Sequence, residues 1–153
     1  MPRTAVQGMV AGAVATVPMS AVMLVAGRTG AMGTQPPEQV AEKAMDATGV
    51  DDVSESEQNV AASLAHVAFG AGGGAAFALA QRRLDLPVPT VVQGVVFGLA
   101  VWATSYQGWI PALRILPPAD DDRPGRRRAM IAAHIVYGGV LGAVETRVAH
   151  SPD

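Results

Sequence analysis

The stretch HIVYGGVLGA, residues 134–143, places a histidine, a tyrosine and regularly spaced glycines in an otherwise apolar segment. Residues 66–75, HVAFGAGGGA, follow the same pattern: histidine, two residues, an aromatic residue, glycine, three residues, glycine and alanine. Both segments are apolar enough to lie in a lipid bilayer, where a titratable ring is costly unless it has a partner. The repetition indicates that the histidine belongs to a structural unit that occurs twice.

A second pair of matching segments precedes these two. Residues 6–12, VQGMVAG, and residues 92–98, VQGVVFG, agree at five of seven positions. A Pro-Pro pair follows each of them, at 36–37 and at 117–118. Because all the matches occur in the same order, they predict a helical hairpin that has been duplicated within the chain.

Four long segments are free of Asp, Glu, Lys and Arg, except near the end of the last one. A helix rises about 1.5 Å per residue, so about 20 apolar residues cross a hydrocarbon core of about 30 Å. Hairpins repeated in parallel would be related by a pseudo-two-fold axis along the membrane normal. We therefore predict a single all-α polytopic membrane domain over residues 1–153, with transmembrane helices at about 5–27, 60–81, 90–112 and 129–148.

The composition agrees with this fold class. Of the 153 residues, 50% are hydrophobic and only 16% are charged, which is little charge for the surface of a soluble domain. A net charge of −2 provides no basic field for nucleic acid, and the absence of cysteine excludes disulfides and thiolate metal sites. No nucleophile-elbow, Walker or zincin motif is present, so we expect no enzyme and no catalytic residues. Arg3 followed by an apolar run also fits a cleaved signal peptide, but the repeat favours retention of this helix.

Glycines one helical turn apart occur in each of the four predicted membrane helices. Small residues at this spacing let two helix backbones approach closely in lipid. The glycines could pack the helices of one bundle together, or they could form the face of a homodimer. They are Gly8, Gly12, Gly70, Gly74, Gly94, Gly98, Gly138 and Gly142.

The long connection after the first helix contains its own structural signals. Prolines at the start and a glycine after the end predict a short amphipathic helix at about 36–48. Ser54 and Glu57 match a capping box before the second membrane helix. The acidic residues 51–57 could instead bind a divalent cation, although EF-hand spacing is absent. The arginines at 126–128 are expected to anchor at anionic lipid headgroups.

The two repeated histidines are predicted to lie at similar depth, close to hydroxyl side chains of the other two helices. This polar layer consists of His66, His134, Ser20, Ser105 and Tyr106. One reading gives the imidazoles a structural role, in hydrogen bonds between helices. A second makes them a proton relay or pH sensor. A third makes them ligands of a b-type haem or a divalent metal.

A second polar layer is predicted at the opposite end of the helices. It is formed by Gln7, Gln93 and Glu145. No Asp or Glu is expected at the depth of the histidines, which argues against a zinc site. We therefore expect no metal and no cofactor, with haem b as the alternative.

Several short motifs resemble those of known small membrane proteins. Residues 92–98, then Leu116-Pro117-Pro118, then His134 early in the last helix, resemble the YagU-like group of bacterial inner-membrane proteins. Residues 8–20, followed by the prolines and Glu38, are similar to related small prokaryotic membrane proteins without assigned function. The resemblance implies an integral protein of the bacterial plasma (inner) membrane and, for the YagU-like members, a link to acid tolerance. With the four apolar segments and the arginines at 126–128, we expect a multi-pass protein whose partners are membrane lipids.

The leading hypothesis is therefore a small integral membrane protein that responds to protons, or stabilises the membrane under stress, through its His66/His134 layer. One alternative is a transporter or channel component, which could act as a homodimer. Another is a membrane protein that binds haem between two histidines.

Overall fold

The structure is a computed structural model, and it describes residues 2–49, 54–84 and 86–149. These residues form helices joined by loops, which confirms the prediction of an all-α chain. Three helices are long and apolar enough to cross a membrane, namely α1, α3 and α6. In chain order the elements are α1 (Pro2–Arg28), α2 (Pro36–Thr48), α3 (Glu55–Leu84), α4 (Thr90–Thr104), a π-helical turn (Ser105–Trp109), α5 (Ile110–Ala112) and α6 (Pro124–Ala149).

The third predicted membrane helix, at residues 90–112, is helical throughout but changes type. Its regular part, α4, has 15 residues and passes into the π-helical turn. Pro111 has no amide hydrogen, so it cannot donate to the carbonyl of Gln107 as an α-helix requires. Before this proline the Ser105 hydroxyl donates to the carbonyl of Val101 at 2.6 Å. The prediction of one regular helix over residues 90–112 therefore did not include the π-helical turn at which α4 ends.

The helix starts follow local hydrogen bonding. At the start of α3 the Ser54 amide donates to Glu57 at 3.0 Å, and the Glu57 amide donates to the Ser54 hydroxyl at 3.4 Å. These two bonds form a capping box. Asp51 and Asp52, which begin the acidic stretch that could bind a cation, lie outside the described residues. The helix predicted at about 36–48 corresponds to α2, which ends at Gly49 in a left-handed conformation with φ of 66°.

The long helices form two hairpins that pack side by side. α1 packs along α3, α4 packs along α6, and α1 and α6 join the two pairs, while α2 lies against α3. α3 and α4 stand at the outer ends of this arrangement and touch each other only sparsely. A cleft therefore opens between α3 and α4, with α1 and α6 at its base.

Glycines provide the close contacts inside each hairpin. A Cβ atom added to Gly12 would meet the carbonyl oxygen of Gly70, and one added to Gly74 would meet that of Gly8. In the second hairpin, a Cβ atom on Gly94 would meet the carbonyl oxygen of Gly138. The eight glycines singled out in the sequence thus lie where two helices of the same chain touch.

The two hairpins do not share one register. Gly12 faces the carbonyl of Gly70, whereas its counterpart Gly98 faces the carbonyl of His134. The counterpart of Gly70 is Gly138, four residues further along α6. The second hairpin is therefore displaced by about one helical turn from the position that the predicted repeat implies. This offset changes which side chains lie beside His134.

Adding a methyl group at Gly12 tests the close contact. We expect Gly12→Ala to lower the free energy of unfolding by about 1–3 kcal/mol, because the backbone of α3 leaves no room for the added atom. Gly72→Ala is the control, since no heavy atom lies within 4 Å of its added Cβ. Reversible unfolding in detergent micelles, followed by circular dichroism, measures both. Equal stability of the two variants would contradict the contact.

Candidate functional site

A cavity of about 690 Å³ occupies the cleft between α3 and α4. Most of its lining is apolar, and its lining residues, all within the described ranges, include no Asp, Glu, Lys or Arg. Two aromatic pairs bridge the cleft. The ring centroids of Phe69 and Trp109 are 6.3 Å apart, and those of Phe77 and Phe97 are 5.3 Å apart. The volume falls in the range of about 300–1,000 Å³ that small-molecule sites occupy.

His134 reaches this cavity from α6 and is only 5% exposed. Its Nδ1 atom lies 2.8 Å from the carbonyl oxygen of Met130. Because a carbonyl oxygen only accepts hydrogen bonds, Nδ1 must carry a hydrogen. In the neutral ring the second nitrogen, Nε2, then has a free lone pair. It can accept a hydrogen bond or a proton.

His66 lines the same cavity from α3 and is partly buried. Its Nδ1 atom lies 3.4 Å from the hydroxyl oxygen of Ser20 on α1. A hydroxyl can donate or accept, so this contact is compatible with either neutral tautomer of the ring. The structure thus brings both predicted histidines to one cavity, each with a different hydrogen-bond partner.

Three hydroxyl groups also belong to the polar lining. Thr16 donates to the carbonyl of Gly12 at 2.8 Å, and Ser105 donates to that of Val101 at 2.6 Å. Tyr137 reaches across from α6 and donates to the carbonyl of Gly70, on α3, at 2.7 Å. Each of these hydroxyls therefore donates its hydrogen to a backbone carbonyl of a helix.

Tyr106 does not join the histidine layer, contrary to the prediction. It is fully buried, and its hydroxyl donates to the carboxylate of Asp122 in the following loop. In the first hairpin Ser20 lies beside His66, and the counterpart of Ser20 in the repeat is Tyr106. The one-turn offset between the hairpins carries Tyr106 past His134 and towards the loop.

Asp122 is the centre of a buried polar cluster outside the cavity. The guanidinium of Arg126 pairs with it at 3.1 Å, and the Nε–H of Arg126 donates to the carbonyl of Met32 at 2.8 Å. Burial alone would raise the pKa of the Asp122 carboxyl, but hydrogen bonds from Tyr106, a backbone amide and Arg126 outweigh burial and hold that pKa below its ordinary value. The stabilisation is therefore present at neutral pH and is lost as the pH falls through the lowered pKa.

This cluster corrects the expected role of the arginines at 126–128. Arg126 is only 8% exposed, so it ties the two long loops together instead of reaching lipid headgroups. Arg127 contacts Asp120 near the surface at 3.5 Å, and Arg128 is exposed. The spacing of an acid and an arginine at i and i+4 was the sequence signal for the ion pair.

The predicted second polar layer is not assembled as one hydrogen-bonded unit in the described structure. Gln93 accepts from Gln81 at 3.4 Å and donates to the carbonyl of Val88 at 2.6 Å. Gln7 is exposed. The Oε1 atom of Glu145 is buried and has no hydrogen-bond partner among the described residues.

Two lining residues were missed in the sequence, although both carried a signal. Tyr137 is the aromatic position of the repeated histidine motif, and Thr16 follows Gly12 by one helical turn.

Within residues 2–49, 54–84 and 86–149, no three His, Asp or Glu side chains are close enough together to hold a metal ion. The polar side chains of the cavity are therefore imidazoles, hydroxyls and the indole of Trp109 in a largely apolar cleft.

The fold and the cavity define an all-helical protein with three helices able to cross a membrane. The chain belongs to the family of unknown function DUF6789, whose model matches residues 2–153. A search of curated proteins and a search of solved structures each found no match. Membership of an uncharacterised family is thus confirmed, whereas the resemblance to the YagU-like group stays a prediction.

The buried ion pair can be tested against an exposed one. We expect Asp122→Ala to lower the free energy of unfolding by about 3–5 kcal/mol, because it leaves the Arg126 charge buried without the carboxylate that balances it. Asp120→Ala, which removes the exposed partner of Arg127, should change stability little. Denaturant unfolding in micelles at neutral pH measures both variants. Equal losses would show that the cluster does not tie the loops together.

Proposed function

We propose that the protein is an integral membrane protein whose four apolar segments cross the bacterial plasma membrane as two related hairpins. The helices α1, α3 and α6 are long and apolar enough to do so. Residues 90–112 would supply the fourth crossing, since the π-helical turn and α5 continue α4. The outer surface of α1 supports this, because Val6, Val10 and Val17 are 58%, 58% and 68% exposed. Such side chains are favourable in lipid and costly in water.

The absence of cysteine gives a clean test of the fourth crossing. Single cysteines replace Arg83 and Arg114, two exposed residues that flank residues 90–112. If this segment spans the membrane, a membrane-impermeant maleimide added to intact spheroplasts will label only one of the two variants. Labelling of both from the same side would contradict the four-span arrangement.

We further propose that the protein responds to protons through the His66/His134 pair. The observation that carries this proposal is that both rings line one cavity with no acidic or basic side chain other than these imidazoles among its lining residues. A proton taken up at Nε2 of His134 would create a charge with no carboxylate to balance it. Acid would therefore favour a conformation in which the cleft admits water around the charged ring. The acid tolerance implied by the YagU-like resemblance is compatible with such a response.

The response can be followed with Trp109, which lines the cavity. Replacing Trp102 by Phe leaves Trp109 as the sole tryptophan, and this breaks no hydrogen bond of the described structure because the Trp102 indole N–H has no partner there. As the pH is lowered from about 8 to about 4, we expect a reversible red shift of Trp109 emission in nanodiscs, since water enters the cleft. The glutamine variants of His66 and His134 should remove this shift, most completely when combined.

The outcome separates the proposed roles of the imidazoles. A shift that persists in the doubly substituted protein would contradict the proton response. Loss of thermal stability in both single variants, with no pH-dependent shift in the parent protein, would assign the rings a structural role. A Soret band in the purified protein would favour the haem alternative, which rests on the same two rings. Proton flux in liposomes that both substitutions abolish would favour a transporter or channel component.

A further inference from the structure

The polar side chains of the cavity share a feature that their identities alone do not reveal. Four of them have committed a hydrogen to a helix carbonyl: the hydroxyls of Thr16, Ser105 and Tyr137, and Nδ1 of His134. A hydroxyl has one hydrogen and two lone pairs, and a neutral imidazole has one N–H and one lone pair. What these four groups have left to offer a ligand is therefore acceptor capacity alone.

The other polar residues of the lining add few hydrogen-bond donors. His66 can present either an acceptor or a donor, depending on its bond with Ser20. Trp109 has an indole N–H, but this residue is 38% exposed and lies at the aromatic bridge with Phe69. The described lining contains no Lys or Arg that could pair with an anionic head group and no Asp or Glu that could pair with a cationic one.

We propose that this cavity binds a neutral, membrane-dissolved lipid with a hydroxyl-bearing head group. The apolar lining would hold the aliphatic or isoprenoid body, and the hydroxyl would donate to the lone pairs of His134, Ser105 or Tyr137. A lipid that carries only acceptors, such as an ether or an ester without a free hydroxyl, would leave these groups unpaired. Unpaired buried polar groups weaken binding.

The packing of the helices also provides a route of entry. α3 and α4 touch sparsely, and the cleft between them is bridged by the aromatic pairs Phe69/Trp109 and Phe77/Phe97. In the proposed four-span arrangement this cleft faces the lipid, so a ligand could enter sideways without crossing water. The inference thus rests on the proposed membrane location, but it does not depend on protonation of the histidines.

A matched pair of probes tests the requirement for a donor. 12-Bromododecan-1-ol and 1-bromo-12-methoxydodecane differ only in the hydroxyl hydrogen and its methyl replacement. The bromine quenches tryptophan on contact, and the Trp102→Phe protein reports through Trp109 alone. In nanodiscs we expect the alcohol to quench at about five- to tenfold lower concentration than the ether, as one hydrogen bond implies. Equal quenching by the two probes would overturn the proposal.

Two glycine variants test whether the quenching comes from the cavity. Gly72 lines it, and a Cβ added there meets no heavy atom within 4 Å, so Gly72→Leu should fill the space without disturbing the helices. Gly27→Leu is the matched control, because Gly27 is equally open and lies outside the lining. We expect Gly72→Leu to remove the saturable quenching and Gly27→Leu to preserve it. The same quenching in both variants would place the probe elsewhere.

Two hydroxyl variants test the acceptors themselves. Ser105→Ala removes a lining hydroxyl, whereas Thr104→Ala removes a neighbouring exposed hydroxyl that also donates to a helix carbonyl. Only Ser105→Ala, alone or with Tyr137→Phe, should reduce the preference for alcohol over ether. A preference that is unchanged in the double variant would overturn the assignment of these acceptors. If the pH-dependent shift of Trp109 is absent while the alcohol preference remains, the proton response fails and the lipid site stands.

Discussion

Direct contact between helix backbones, made where two glycines face each other, is the constraint on which the rest of this molecule depends. An added carbon atom at Gly12, Gly94 or Gly138 would collide with a carbonyl group of the facing helix, and one at Gly70 would collide with the side chain of Thr16. Dispersion contacts of this kind require the two backbones to run close together over several turns. They fix the partners of α1 and α4 and leave α3 and α4 loosely packed against each other. The cavity lies between α3 and α4 because the close helix contacts are those of α1 with α3 and of α4 with α6.

The register of each hairpin then decides the chemistry of the cavity. A displacement of one turn in the second hairpin separates Tyr106 from His134 and delivers its hydroxyl to the buried Asp122. Tyr137, one turn further along α6, crosses to the carbonyl of Gly70 instead. Two halves that are similar in sequence therefore place different groups on the two sides of the cleft. Such asymmetry makes the contact between α3 and α4 different from the one between α1 and α6, whereas an exact two-fold arrangement would make the two contacts equivalent.

The hydrogen bonds inside the cleft connect the proposed proton response with the proposed lipid site. Each hydroxyl in the lining donates its hydrogen to a helix carbonyl, which avoids the free-energy cost of an unpaired donor where water is scarce. The lone pairs that remain can accept a hydrogen bond from a neutral alcohol, and the imidazole nitrogen of His134 can alternatively accept a proton. A bound hydroxyl and a proton would then compete for the same atom. Acidification would in that case weaken the binding of the lipid, because protonated His134 can no longer accept its hydrogen bond. A histidine in the apolar cavity would thereby make lipid binding depend on pH.

The amino-acid sequence by itself determined the helical fold, the apolar segments, the close glycine spacing and the presence of a histidine in each half. These follow from residue type and helical period, which are local properties. The π-helical turn before Pro111 was not expected from the sequence and is seen only in the structure. The relative register of the helices, the shared cavity of His66 and His134, and the burial of Arg126 were decided by the tertiary structure. Their cause is physical: a helix can slide by one turn and present the same glycine spacing to its partner, so no local pattern distinguishes the two registers.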